Sequence, residues 1–71
     1  MEETIGTRLK NYRRSKRLTQ NGLSNLSGVS NSYISQIENN IYTNISLYFV
    51  CDLCKALEVT PNDLIPEHYY R

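Results

Sequence analysis

The stretch Gln20-Asn21-Gly22-Leu23-Ser24-Asn25-Leu26-Ser27-Gly28-Val29-Ser30-Asn31-Ser32-Tyr33-Ile34-Ser35-Gln36-Ile37-Glu38-Asn39 decides the fold. It reads as two short helices joined by a tight turn. Thr19, just ahead of it, suits the N-cap of a helix over Gln20–Ser27, because its hydroxyl can accept an orphan backbone N–H. Leu23 and Leu26 are the inward residues of that helix, and Gly28 stops it, since glycine takes left-handed backbone without penalty. Ser30 caps the next helix, Asn31 to about Asn39, with Ile34 and Ile37 inward and Val29 just before the cap. The Asn39-Asn40 pair closes it, because asparagine tolerates left-handed geometry. Ser24 is small where the two helices cross, and Val29, Ile34 and Ile37 plug the angle between them, facing Leu23. A sharp turn of this kind lets the second helix project from the surface and lie in a DNA major groove, about 12 Å wide. Gly22 costs about 1 kcal/mol relative to alanine inside a helix, and no feature of the sequence explains it.

Upstream, Ile5, Leu9 and Tyr12 fall at helical spacing and predict a first helix from about Thr4 to Arg17. Glu2 and Glu3 near its start, and Arg and Lys late in it, suit the helix dipole. Downstream, Ile41 to Asn44 reads as a loop. A fourth helix follows, from about Ile45 or Ser46 to Glu58, with Leu47, Val50, Leu53, Cys54 and Leu57 as its core face. Thr60 caps a last short helix with Pro61 at its first position. Leu64 and Ile65 face inward, Pro66 stops it, and 67–71 is expected as a loose tail. No strand pattern is sustained. The expectation is an all-α fold of five helices forming a single domain over residues 1–71.

The composition is that of a small globular domain. The chain has 71 residues, of which 21% are charged and 39% hydrophobic. A chain of this length buries roughly 60% of its unfolded surface, which leaves little room for a catalytic cleft. No apolar run approaches the roughly 20 residues that span a bilayer, and the acidic start Met1-Glu2-Glu3 is unlike a secretory signal. A cytoplasmic protein with no membrane partner is expected. The net charge is only +1, but Arg8, Lys10, Arg13, Arg14, Lys16 and Arg17 all precede residue 20. One face can therefore attract phosphate, although a merely solvated basic helix would look the same.

The chemistry of enzymes is missing. His68 is the one histidine and lies in the expected tail. There is no Ser/His/Asp set, no glycine-rich phosphate loop and no base near Cys51. Cys51 and Cys54 have the spacing of half a zinc site, but a structural zinc takes four ligands. No cofactor or metal is expected, with Cys54 a small core residue and Cys51 nearer the surface. What stands out is the outward side of the helix over Asn31–Asn39. It carries Ser, Asn and Gln where a solvated helix more often carries Lys and Glu. Asn and Gln amides both donate and accept, which suits the N6/N7 edge of adenine.

The run Leu18-Thr19-Gln20, Leu23-Ser24, Gly28-Val29-Ser30 and Tyr33-Ile34-Ser35-Gln36-Ile37-Glu38 resembles the Xre family of phage-repressor and Cro-like regulators, most of all its SinR-type members. The likeness extends from Ile5 to Ile65. It implies a five-helix, lambda-repressor-like DNA-binding domain containing a helix-turn-helix at about 20–39. It also implies a sequence-specific transcriptional regulator, expected to be a repressor, that binds a near-palindromic operator as a homodimer. The resemblance assigns Asn31, Ser32 and Gln36 to base edges, with Ser35 beside them, counted among the base readers. Gln20, Tyr33, Asn39, Tyr42 and Thr43 go to phosphates, as does Arg14 of the basic first helix. It further pairs Arg13 with Glu38 as a structural ion pair orienting the recognition helix. The chain departs from the family at Asn39-Asn40 and at Asn44-Ile45-Ser46, where many members carry Arg-Gly or Asn-Gly and then Asn-Pro-Ser. The partners implied are double-stranded DNA, a second copy of the chain, and a protein antagonist or co-regulator. The rival reading is a protein-interaction module of the same fold without DNA binding, such as an antitoxin or anti-repressor partner.

Overall fold

The structure, a computed structural model, describes residues 3–41 and 44–69. Among these residues five α-helices follow one another: α1 (Ile5–Ser15), α2 (Gln20–Ser27), α3 (Asn31–Glu38), α4 (Leu47–Leu57) and α5 (Pro61–Leu64). A turn of 3-10 helix, Glu67–Tyr69, comes last. Every α-helix starts on a side-chain cap: Thr4, Thr19, Ser30, Ser46 and Thr60 each accept a backbone N–H from the first turn. At α5 the cap is reciprocal, because the Asp63 carboxylate also accepts from the Thr60 N–H. These bonds to Thr60 hold the Asp63 carboxyl below its ordinary range.

The helix ends explain why a chain with few glycines turns so sharply. Gly28 (φ 79°) closes α2 as its composition suggests. After α1 the left-handed residue is Arg17 (φ 59°), and after α3 it is Asn40 (φ 61°). Both close the same way. The Leu18 N–H reaches back to the Arg13 carbonyl and the Ile41 N–H to the Gln36 carbonyl, satisfying groups the helix leaves orphaned.

One apolar core joins all five helices: Ile5 and Leu9 of α1, Leu23 of α2, Val29, Ile34 and Ile37, then Val50, Leu53, Cys54 and Leu57 of α4, and Leu64 of α5. Two expected core residues are not in it. Leu26 is 62% exposed and Leu47 is 66% exposed. Leu26 is the last residue but one of α2. Leu47 is the first residue of α4, which starts later than expected. The residues expected as a loose tail are partly anchored instead. Pro66 is fully buried, and the Tyr69 hydroxyl accepts a 3.4 Å hydrogen bond from the Ile5 N–H, one of the orphan donors of α1.

Gly6 carries a constraint that no turn signal announces. A Cβ placed there would lie 2.1 Å from the Ile37 carbonyl oxygen. Only the absence of a side chain lets α1 rest on the last turn of α3. Thr4 reinforces this junction by donating to the Asn40 side-chain oxygen at 2.7 Å. Gly22 is different: a Cβ there would meet the Thr19 hydroxyl at 3.3 Å and Leu18 at 3.5 Å, which is tight but adjustable.

Gly6→Ala should therefore destabilise the domain by about 3 kcal/mol, since the clash is with backbone, whereas Gly22→Ala should stay within about 1 kcal/mol of the parent because helix propensity offsets the crowding. Urea melts of the two variants test this; equal effects would refute it. Cys54 supplies a pH test. Burial first, and then the neighbouring Cys51, push its thiol from 9.0 up to about 11. The unfolded thiol thus ionises before the folded one, and its contribution to stability is complete below pH 9 and is lost between pH 9 and 11. Over that window the parent should lose stability more steeply than Cys54→Ala.

Candidate nucleic-acid interface

The local sequence builds the interface from α3 outward. With about 100° between successive residues of a helix, Ile34, Ile37 and Glu38 fall on one side and Asn31, Ser32, Ser35, Gln36 and Asn39 within an arc of about 140° on the other. The inner three are buried. Asn31, Ser32 and Asn39 are exposed, while Ser35 and Gln36 are half-buried. The Ser30 hydroxyl accepts from the Tyr33 N–H and fixes where the helix begins. The Asn39 side-chain nitrogen lies 3.5 Å from the Ser35 hydroxyl, so these two neighbours share the arc as a pair.

Tyr33 sits at the edge of this arc, half-buried. Its ring packs against Phe49 of α4, with centroids 4.9 Å apart and planes inclined at 57°, an arrangement aromatic quadrupoles favour. Phe49 was given no role by the sequence. The signal was its place one turn into an amphipathic helix, but nothing local says which partner its ring will find.

Behind α3 lies the ion pair. The Arg13 Nε donates to Glu38 Oε2 at 2.7 Å and its Nη2 to Oε1 at 3.0 Å. Its remaining Nη1 donates to the Leu18 carbonyl at 2.7 Å. The two side chains are only 10% and 2% exposed. The hydrogen bonds to Glu38 outweigh burial and raise the Arg13 pKa further above its ordinary value, so the guanidinium stays charged. Gln20, at the first position of α2, donates its side-chain N–H to Glu38 Oε1 at 3.1 Å. Glu38 therefore gathers α1, the start of α2 and the end of α3 on one carboxylate.

The basic segment divides by role. Arg13 is internal. Arg8 pairs with Glu3 at 3.4 Å and donates to the Asp63 carbonyl. Arg14, Lys16 and Arg17 are exposed around the end of α1, and Lys10 is half-buried. Tyr42 and Thr43, also read as phosphate contacts, lie outside the described residues.

Known proteins share this fold. A family model described as helix-turn-helix matches residues 9–64. The HTH-type transcriptional regulator SinR of Bacillus subtilis strain 168 is 37% identical over 65 residues, an alignment covering 92% of this chain and 59% of that protein. The chain thus spans less than two thirds of the length of that relative. Among solved structures, SinR in complex with DNA superposes with a TM-score of 0.84 at 38% identity, covering 86% of this chain and 97% of that one. The SinR protein/SinI protein complex gives a TM-score of 0.86 at 36% identity, covering 93% and 64%.

The Arg13–Glu38 pair makes a sharp energetic prediction. Arg13→Met or Glu38→Gln alone should destabilise by about 3–5 kcal/mol, because each strands a buried charge. The combined Arg13→Met/Glu38→Gln variant should be less destabilised than the sum of the single changes. Additive effects in a double-mutant cycle would show that the two side chains act independently.

Proposed function

This chain belongs to the Xre-like helix-turn-helix family, and from that premise we propose that it is a sequence-specific DNA-binding transcriptional regulator, a repressor that occupies a near-palindromic operator as a dimer. The observation that carries the reading is the outer arc of α3: five amide and hydroxyl side chains, no charge among them, on a helix whose opposite side is locked into the core. Such side chains read base edges by hydrogen bonding, and a helix anchored from behind presents them in one fixed register. Asn31, Ser32, Ser35 and Gln36 take the base edges. Gln20, Tyr33, Asn39 and Arg14, with Tyr42 and Thr43 of the following loop, take phosphates. The exposed cations at the end of α1 add attraction for the backbone.

Two copies would set their α3 helices in successive major grooves about 34 Å apart. Exposed apolar residues at the start of α4, Leu47 (66% exposed) and Tyr48 (82% exposed), together with Tyr69, offer surface for the second copy. The same patch favours one further reading. The solved complex of the related SinR with SinI is a protein–protein assembly, and by this second reading the patch meets a protein antagonist or co-regulator in place of a second copy. Residence in the cytoplasm, on the nucleoid when bound, accords with this role.

A selection from random duplex DNA should enrich a near-palindrome, and Gln36→Ala should relax preference at one base pair in each half-site, costing about 1–3 kcal/mol. Affinity should fall steeply as salt rises, because each neutralised phosphate releases counterions. Recovery of no enriched sequence would favour the protein-interaction reading.

A further inference from the structure

We propose that Glu38, besides pairing with Arg13, is a positioning residue for DNA contact. By holding one hydrogen of the Gln20 side-chain amide, it aims the other at a backbone phosphate. This rests on the DNA-binding reading given above. A primary amide nitrogen carries two hydrogens and its oxygen only accepts. A glutamine amide free to rotate therefore has no fixed polarity toward a ligand. Here that freedom is removed, because the Gln20 nitrogen sits 3.1 Å from Glu38 Oε1. The amide cannot turn about without setting its oxygen against a carboxylate, so the nitrogen stays where it is, with its second hydrogen left for an acceptor outside the protein.

The carboxylate is itself immobile. Both of its oxygens accept from Arg13, and its side chain is 2% exposed. Gln20 is the first residue of α2, directly after the Thr19 cap, so its amide lies at the positive end of that helix. An anionic acceptor is favoured there over a base edge, and a neutral N–H held by a buried carboxylate costs no ordering when the phosphate arrives. The buried ion pair thus serves recognition as well as stability. It orients α3, on which Glu38 stands, and through the same oxygen it orients a donor on α2.

Side-chain amide resonances of the 15N-labelled chain test this without any substitution. In the free protein one Gln20 amide hydrogen should be protected from solvent exchange and the other should exchange freely. On adding the duplex enriched by the chain, the free one should shift and become protected while the first stays put. Gln20→Met should lower affinity for that duplex on the order of tenfold, and the salt dependence should be unchanged because no charge is lost. If the duplex binds and neither Gln20 hydrogen responds, or if both shift together as the amide leaves Glu38, the positioning role is wrong while the DNA-binding reading stands. If the parent chain binds no duplex, both fall.

Discussion

A carboxylate buried in the angle between three helices organises this domain. Glu38 accepts from Arg13 through both oxygens and from Gln20 through one. Taking two ions out of water is costly, and a buried pair recovers that cost only when its geometry is good and its remaining polar atoms are satisfied. Both conditions hold: the third guanidinium nitrogen is used on the Leu18 carbonyl, and among the described residues no buried side-chain nitrogen or oxygen lacks a partner. The apolar core supplies most of the driving force, but burial of Leu, Ile and Val is not directional. The ion pair is directional. With Ile34 and Ile37 buried on the same side, it holds one rotation of α3 about its own axis, and that rotation decides which side chains face outward.

Arg13 serves the chain a second time through its backbone. Its carbonyl receives the Leu18 N–H that closes α1, while its guanidinium binds the Leu18 carbonyl. The turn between α1 and α2 is thereby tied to the residue that anchors α3. At the opposite end of α1, Gly6 lets the helix lie against the Ile37 carbonyl. Helix α3 is thus held by α1 at two places, one electrostatic and one steric, and a helix of 8 residues, too short to be stable alone, gains a defined pose.

The functional reading follows from that rigidity. A helix that must read base edges has to hold its polar arc in register with the groove, because amide hydrogen bonds fail within a few tenths of an ångström. The inner side of α3 is committed wholly to packing and to the ion pair, so the outer side is free to carry residues chosen for chemistry rather than stability. Its serines and asparagines are poor helix formers, and the core, the caps and Glu38 compensate for them.

Much of this was legible in the residues themselves. The caps, the glycine stop after α2, the apolar periodicity and the amide-rich face of α3 depend on local stereochemistry and on repeats of three to four residues, so the chain alone specified five helices and the boundaries of the central pair. Elsewhere local signals were insufficient. Arg17 takes left-handed backbone without being glycine or asparagine, Leu26 and Leu47 look like core residues but are exposed, and Tyr69 leaves the expected tail to meet the start of α1. The Arg17 closure is local but carries no residue-type signal; the other outcomes, together with the Gly6 contact, the Tyr33–Phe49 packing and the sharing of Glu38 by Gln20, are set between elements distant in sequence. Periodicity says which side of a helix is apolar; only the packed structure decides which neighbour arrives there, how closely, and which polar atoms it brings within reach.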